Sequence, residues 1–335
     1  MNLIERLRTA LQHYELDLTN LNIVKGLYSN HWHGDVHVQI SIDDKRYAAR
    51  FIGDQRYEAD AFIDLSNEVL QEQIRFCHFL IHAGIPFMKP IPTIQQEFLV
   101  VVHIEGEVWR FLLFEWMEGQ HLTDGDVSVA QAFGRFARKL HDLSAGFETN
   151  TFPQHSHLKG YQEFYSRIVE CADAYVCSPK TSDLLKSYFQ RIEHHMQQSS
   201  TQMYDFIVQS DLNPLNILWN GNTQIVGIVD FESITYTDRL EGLAWLIKWY
   251  SRTDGIASHV MSPALAQAVL QGYDASESLN SNDITRLRSL VWLTGCLNWN
   301  FTHKTIELMN NREEQRLYTH LIQYMERGEN LLALF

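Results

Sequence analysis

Cysteine is scarce in this chain: four in 335 residues, at Cys77, Cys171, Cys177 and Cys296. None forms a CxxC pair, and the spacing fits no common zinc site. A disulfide framework or zinc staple is therefore not expected, and a reduced, cytoplasmic setting is the simplest one. Basic residues are also in deficit, with 27 Lys and Arg against 41 Asp and Glu and a formal net charge of −14. Nucleic-acid binding asks for a basic face, so that class of partner is not expected. An acidic surface favours solubility and can attract cationic substrates. No apolar run reaches the ~18 residues of a membrane span. The N-terminal Met1-Asn-Leu-Ile-Glu-Arg-Leu reads as an amphipathic helix and not as a signal peptide. Repeats and low-complexity tracts are lacking. The histidines, sixteen in all, are scattered. Neither His31/His33 nor His194-His195 comes with the helical pair and Glu of a zinc hydrolase.

What is present is globular: 45% hydrophobic and 20% charged residues, over a length that suits two lobes. Val36, Val38, Ile40 and Ile42 alternate with His37, Gln39 and Ser41. Asp43-Asp44 supplies a turn and Tyr47–Ile52 returns, which predicts an antiparallel hairpin. A helical pattern at 66–82 stops at Gly84-Ile-Pro86. Phe98–Ile104 and Trp109–Trp116 read as a second strand pair. After Gly119 helical spacing dominates, at 128–144, 160–176, 181–198, 239–251, 263–273, 283–302 and 311–333. Only the stretch 205–234 is strand-rich. The expectation is an α+β chain with a small, mostly β lobe over residues 1–117 and a larger, mostly helical lobe over 118–335.

Within 205–234, Phe206-Ile-Val-Gln-Ser-Asp-Leu-Asn-Pro-Leu-Asn-Ile-Leu-Trp219 and Ile225-Val-Gly-Ile-Val-Asp-Phe-Glu232 each place a carboxylate after a short apolar strand. Asn220-Gly221-Asn222 between them is a hairpin signal. Phosphoryl transfer needs a group that positions and deprotonates an acceptor hydroxyl, together with oxygen ligands for Mg²⁺. Asp211 can serve as the first, and Asn216 and Asp230 as the second. Each Asp alone would read as a turn or cap residue. The paired arrangement, with Asn five residues after Asp211, favours chemistry.

On these two motifs the chain resembles the aminoglycoside phosphotransferase family, which includes choline kinase, homoserine kinase and stress-response kinase relatives. Gln209-Ser-Asp211-Leu-Asn-Pro-Leu-Asn216 matches the family's catalytic loop at Asp and Asn, and Val229-Asp230-Phe-Glu232 matches its metal element. Gln209 stands where the loop usually opens with His; its amide can both donate and accept. The resemblance implies a two-lobed protein-kinase-like fold and an ATP-dependent (or GTP-dependent) kinase using Mg²⁺. It implies a phosphate-contacting Arg50 braced by Glu72, with Glu68 as the fallback. It also implies a loop around Asn30 covering the triphosphate, and a hinge at Glu115 and Met117 reading the purine edge. The implied acceptor is a hydroxyl on a small molecule. Trp245, Trp249, Tyr250, Trp292 and Trp299, with Glu232, Asp238 and Glu241, suit an amine-bearing one; core packing is the competing reading for the aromatics. A protein Ser/Thr kinase of the stress-response type and a nucleotide-binding pseudokinase are the alternatives.

Overall fold

The computed structural model describes residues 2–27, 35–53, 66–152, 158–201, 206–209, 211–221, 224–231, 234–256, 258 and 260–335. Packing divides the chain into two units. The first comprises Met1–Gly119 with Phe147–Phe152 and Val226–Ile234, and the second comprises the remainder. A single cut at residue 117 therefore does not describe the two later segments that fold with the first unit.

The first unit contains α1 (Leu3–Leu11), β1 (Asn22–Gly26), β2 (Val36–Ile42), β3 (Lys45–Gly53), α2 (Asn67–His82), β4 (Val100–Ile104) and β5 (Glu107–Glu115). The five strands form one antiparallel sheet in the order β1-β2-β3-β5-β4. Asp43 and Asp44 both take positive φ, as do Glu105 and Gly106. Tight two-residue hairpins need that conformation to match the strands' twist. Asn2 caps α1 with a reciprocal box: its side chain accepts from Glu5 N at 3.0 Å, and the Glu5 carboxylate accepts from Asn2 N at 3.2 Å. Leu7, Ala10 and Leu11 of α1 then pack with Val38, Ile40, Ala49, Phe51, Val102 and Phe111 in one apolar cluster. Strand side chains alternate, so Arg50 points to the face opposite Ala49 and Phe51. Gln73 of α2 donates to the Ile234 carbonyl at 3.1 Å, which ties the later segment to this unit.

The second unit is mostly helical: α3 (Val127–Ser144), α4 (Leu158–Asp173), α5 (Pro179–Ser199), α6 (Arg239–Tyr250), α7 (Pro263–Gly272), α8 (Ala275–Ser278), α9 (Ser281–Cys296), α10 (Trp299–Asn310) and α11 (Glu314–Leu332). Four short strands interrupt the helices. β6 (Phe206–Gln209) pairs with β9 (Ile234–Thr237); β7 (Ile217–Asn220) and β8 (Gln224–Ile228) lie between them in the chain, and β8 runs into the segment Val226–Ile234 that folds with the first unit. The helical pattern expected to run unbroken over 283–302 is two helices. Asn298 turns its amide nitrogen back on the Thr294 and Gly295 carbonyls, at 3.3 and 3.1 Å, while its oxygen accepts from Phe301 N. One side chain thus closes α9 and caps α10. Among the described residues no helix is long and apolar enough to cross a membrane.

Asp238 caps α6 by accepting from Glu241 N at 2.9 Å, and its second oxygen accepts from Arg286 at 2.8 Å. Glu241 itself is buried and accepts from the Thr237 hydroxyl. Burial pushes its pKa up to about 8, against the lowering effect of the Thr237 bond. The folded protein therefore keeps a proton on Glu241 over a range in which the unfolded chain, titrating near 4.5, has lost it. Stability should fall as pH rises from about 4.5 to 8, by about 1.4 kcal/mol per unit for this one group. Glu241→Gln should flatten that part of the pH profile of the denaturant midpoint; an unchanged slope would show that Glu241 does not hold the proton.

Where α3 and α7 meet, Gly134 lies against Gly272 and Tyr273. A Cβ at Gly134 would collide with the Val269 carbonyl, and one at Gly272 with the Gln131 carbonyl. Ala normally stabilises a helix over Gly by about 1 kcal/mol. Gly134→Ala is expected to reverse that sign and destabilise the protein by about 1–3 kcal/mol through overpacking. Chemical denaturation checks this, and a raised midpoint would show that the helices separate freely.

Candidate active site

In the first unit the chemistry gathers around Arg50. It lies opposite His37 in the β2–β3 register and is almost wholly buried. A buried guanidinium needs counter-charge, and two carboxylates supply it. Nη2 donates to Asp35 Oδ2 at 3.3 Å and Nη1 to Asp230 Oδ1 at 3.4 Å. Asp35 is fixed in turn by Gly53 N, which donates to its Oδ1 at 3.3 Å. Asp230 accepts from Phe231 N at 2.8 Å, and the Phe231 ring lies 5.6 Å below the Arg50 guanidinium. His37 Nε2 sits 3.8 Å from Asp35. Burial, and then the Arg50 charge, push its pKa down to about 4 although Asp35 pulls the other way, so the imidazole is neutral near pH 7.

The expectation that Glu72 braces Arg50 is corrected. Glu72 is held by Arg75, three residues on along the same helix, with Nε donating at 2.7 Å and Nη2 at 2.5 Å. That bond also holds the Glu72 pKa below the usual carboxylate value. Arg75 is anchored in turn on the Glu148 carbonyl and over the Phe147 ring. The fallback Glu68 is exposed near the start of α2. Asp35 takes the place expected for Glu72, and sequence reasoning missed it. The available signal was an acidic residue immediately before the alternating strand that pairs with the Arg50 strand.

Glu115 ends β5 with its N–H on the Lys89 carbonyl at 2.9 Å and its carboxylate on Lys89 Nζ at 2.6 Å. Trp116 N donates to the Arg46 carbonyl at 3.2 Å, and Met117 follows beyond the strand. Asn30 and Glu232 lie outside the described residues, as does the side chain of Gln209.

In the second unit, residues 211–216 form a short loop between β6 and β7. Leu212 is its buried anchor. Asn213 accepts from Leu215 N at 2.8 Å, a local turn that carries the chain past Pro214. The same side chain donates to Asp211 Oδ1 at 2.9 Å. Asn216 Nδ2 donates to the Asp211 carbonyl at 2.8 Å and to its Oδ2 at 3.3 Å. Both carboxylate oxygens of Asp211 are thus oriented by carboxamides five residues or fewer away. The Asn216 amide nitrogen is thus engaged with Asp211.

The expected acceptor residues separate into two groups. Trp292 is fully buried with His195 stacked on it at 4.5 Å, and Tyr250 stacks on Phe133 at 3.7 Å; both are core. Trp245 and Trp249 are only half-buried, and the ammonium of Lys248 lies over both rings, at 4.1 and 4.9 Å. Trp299 is half-buried against His303. Asp238 and Glu241 are committed to the cap of α6, to Arg286 and to Thr237.

Among the described residues no cluster of three His, Cys, Asp or Glu makes a self-sufficient metal cage. Asp230 in the first unit offers a carboxylate and Asn216 in the second an amide oxygen, each of the hard-oxygen type that Mg²⁺ takes as a ligand.

The family model of the phosphotransferase enzyme family matches residues 38–288, which contain Arg50, Asp211, Asn216 and Asp230. No curated protein matches the chain significantly. Among solved structures, an amicoumacin kinase in complex with AMP-PNP, Ca²⁺ and Ami is similar at a TM-score of 0.67 and 13% identity, covering 98% of this chain and 94% of that one. A microcompartment-associated aminopropanol kinase is similar at 0.67 and 16%, covering 97% and 95%. An aminoglycoside phosphotransferase from Alicyclobacillus acidocaldarius is similar at 0.64 and 14%, covering 97% and 94%. At such identities these likenesses establish the fold, and the family model identifies the lineage: the chain belongs to the phosphotransferase enzyme family.

Proposed function

We propose that the protein is a nucleoside-triphosphate-dependent kinase, using ATP or GTP, that phosphorylates a hydroxyl group of a small molecule. The observation that carries this reading is the loop in which Asn213 and Asn216 donate to the two carboxylate oxygens of Asp211. An Asp held this way presents its carboxylate in a fixed direction. It can accept the proton of an acceptor hydroxyl as that oxygen attacks the γ-phosphorus and the bond to the β-phosphate oxygen breaks.

Arg50 contacts the triphosphate. Asp35 orients its guanidinium from the sheet side, so the role assigned to a helix Glu falls to a strand-entry Asp. Asn30, outside the described residues, is assigned to the phosphates, and the purine edge meets backbone at Glu115 and Met117. Because the Glu115 N–H is taken by Lys89, its carbonyl and the Met117 N–H are the groups we assign to that edge. Asn216 and Asp230 would hold Mg²⁺, which when bound offsets phosphate charge. A cytoplasmic setting, where nucleoside triphosphates are supplied, suits this chemistry.

Asp211→Ala should lower kcat by about 10²–10⁴-fold, the usual contribution of a positioned general base, while nucleotide affinity stays within about twofold. Coupled ADP release and nucleotide titration measure the two. A fully active variant would remove Asp211 from catalysis, and nucleotide binding with no Asp211-dependent transfer in the wild type would leave a pseudokinase. Asp230→Ala should abolish the dependence of nucleotide affinity on Mg²⁺, so titration curves that still separate with and without the metal would reject that ligand.

A further inference from the structure

The end of α6 carries a cationic cluster that the chemistry above does not use. Lys248 is buried, with its ammonium between the faces of Trp245 and Trp249. Arg252 lies over the same Trp249 ring at 4.4 Å and gives its guanidinium to the backbone carbonyls of Lys248 and Ile256. Among the described residues, neither cation meets a carboxylate within ion-pair distance. Cation–π contacts of this length contribute roughly 0.5–2 kcal/mol each, well short of what removing an ammonium from water costs. Burial, and then the charges of Arg252 and Arg327, depress the Lys248 pKa well below its usual value; Asp211 opposes this. Asp211 also bears on the buried Tyr250 hydroxyl. Two buried donors at this helix end, Trp249 Nε1 and the Tyr250 hydroxyl, have no hydrogen-bond partner among the described residues. The cluster thus has surplus positive charge, spare donors and two aromatic faces, and it lies within electrostatic reach of Asp211.

We propose that Lys248 and Arg252, framed by Trp245 and Trp249, bind an oxyanion of the phosphate acceptor, a carboxylate or phosphate group carried on the same small molecule as the reacting hydroxyl. As a statement about the acceptor this rests on the kinase reading of Asp211. As an anion site it stands alone. Asp238 and Glu241, two of the carboxylates expected to recognise an amine, do not oppose it, because they are engaged within the second unit. An anion at the cluster would supply the missing counter-charge and favour the ammonium form of Lys248.

The full chain would be titrated with inorganic phosphate and with acetate, following tryptophan fluorescence and calorimetry, in the wild type, Lys248→Met and Arg252→Gln. Saturable binding of either anion, weakened at least tenfold in both variants, is the expected result. No binding, or equal binding in all three proteins, overturns the proposal. Met replaces a desolvated ammonium, so Lys248→Met should keep or raise the thermal midpoint; that measurement separates loss of the site from loss of the fold. A second arm compares ADP release from hydroxy acids, their amides and the corresponding amino alcohols, in the wild type and in Asp211→Ala. Turnover restricted to the acids, with KM raised at least tenfold in Lys248→Met, supports the assignment; equal use of amides or amino alcohols rejects it. Anion binding that depends on Lys248, without Asp211-dependent ADP release, would reject the kinase reading and leave the anion site standing.

Discussion

The arrangement of the first unit depends on how the charge of Arg50 is satisfied. A guanidinium on a central strand, facing away from the α1 core and almost wholly buried, is unfavourable unless carboxylates and an aromatic face surround it. Asp35 comes from the start of the neighbouring strand, and Asp230 and Phe231 come from more than 170 residues along the chain. This pairing is a physical reason why Val226–Ile234 belongs with the first unit despite its place in the sequence. Phe231 is itself buried and packs beside Phe114 of β5, so apolar and ionic contacts place the segment together. The same ion pair keeps a cation and a carboxylate, each suited to phosphate chemistry, within one rigid frame.

In the second unit the Asp211 carboxylate accepts hydrogen bonds from carboxamides, whereas Arg50 in the first meets carboxylates. Asp211 is held by neutral carboxamides, and they orient it without contributing a competing positive charge. That difference suits the two tasks. A phosphate-binding group benefits from a fixed full charge. The proton acceptor proposed at Asp211 needs a fixed direction, which amide donors supply.

Much of this was legible in the residues. Strict alternation in Val36–Ile42 and the Asp-Asp turn defined β2 and β3, because a two-residue period has one way to bury its apolar face. The offset from Asp211 to Asn216 was legible because a loop this short must make its contacts locally. The Arg50 partner was not. Glu72 and Glu68 offered a plausible helix face, but a carboxylate one turn from an arginine is captured on its own helix, and nothing in local spacing reports that Asp35 and Arg50 meet across a hairpin. The break at Asn298 was missed for a related reason. Apolar periodicity continues through it, and the interruption comes from one side chain that competes for helix carbonyls while capping the next helix.

Overall charge alone does not select the class of ligand. A formal net charge of −14 allowed an affinity for cations beside simple solubility, yet the cationic group that Asp211 bears on at the end of α6 is Lys248, and Asp238 and Glu241, two of the carboxylates expected to suit an amine, are engaged in capping and hydrogen bonding. Charge spread over a surface is screened within roughly 10 Å at moderate salt. A buried ammonium is neither hydrated nor screened to that degree, so its local balance outweighs distant carboxylates in selecting a ligand. Trp245 and Trp249 illustrate the point from the aromatic side. Their faces looked available to a substrate amine, but the protein's own Lys248 and Arg252 already occupy them. In the proposed anion site an aromatic face that stacks on an internal cation serves as its backing, and the choice between the two depends on one lysine three residues along the same helix from Trp245.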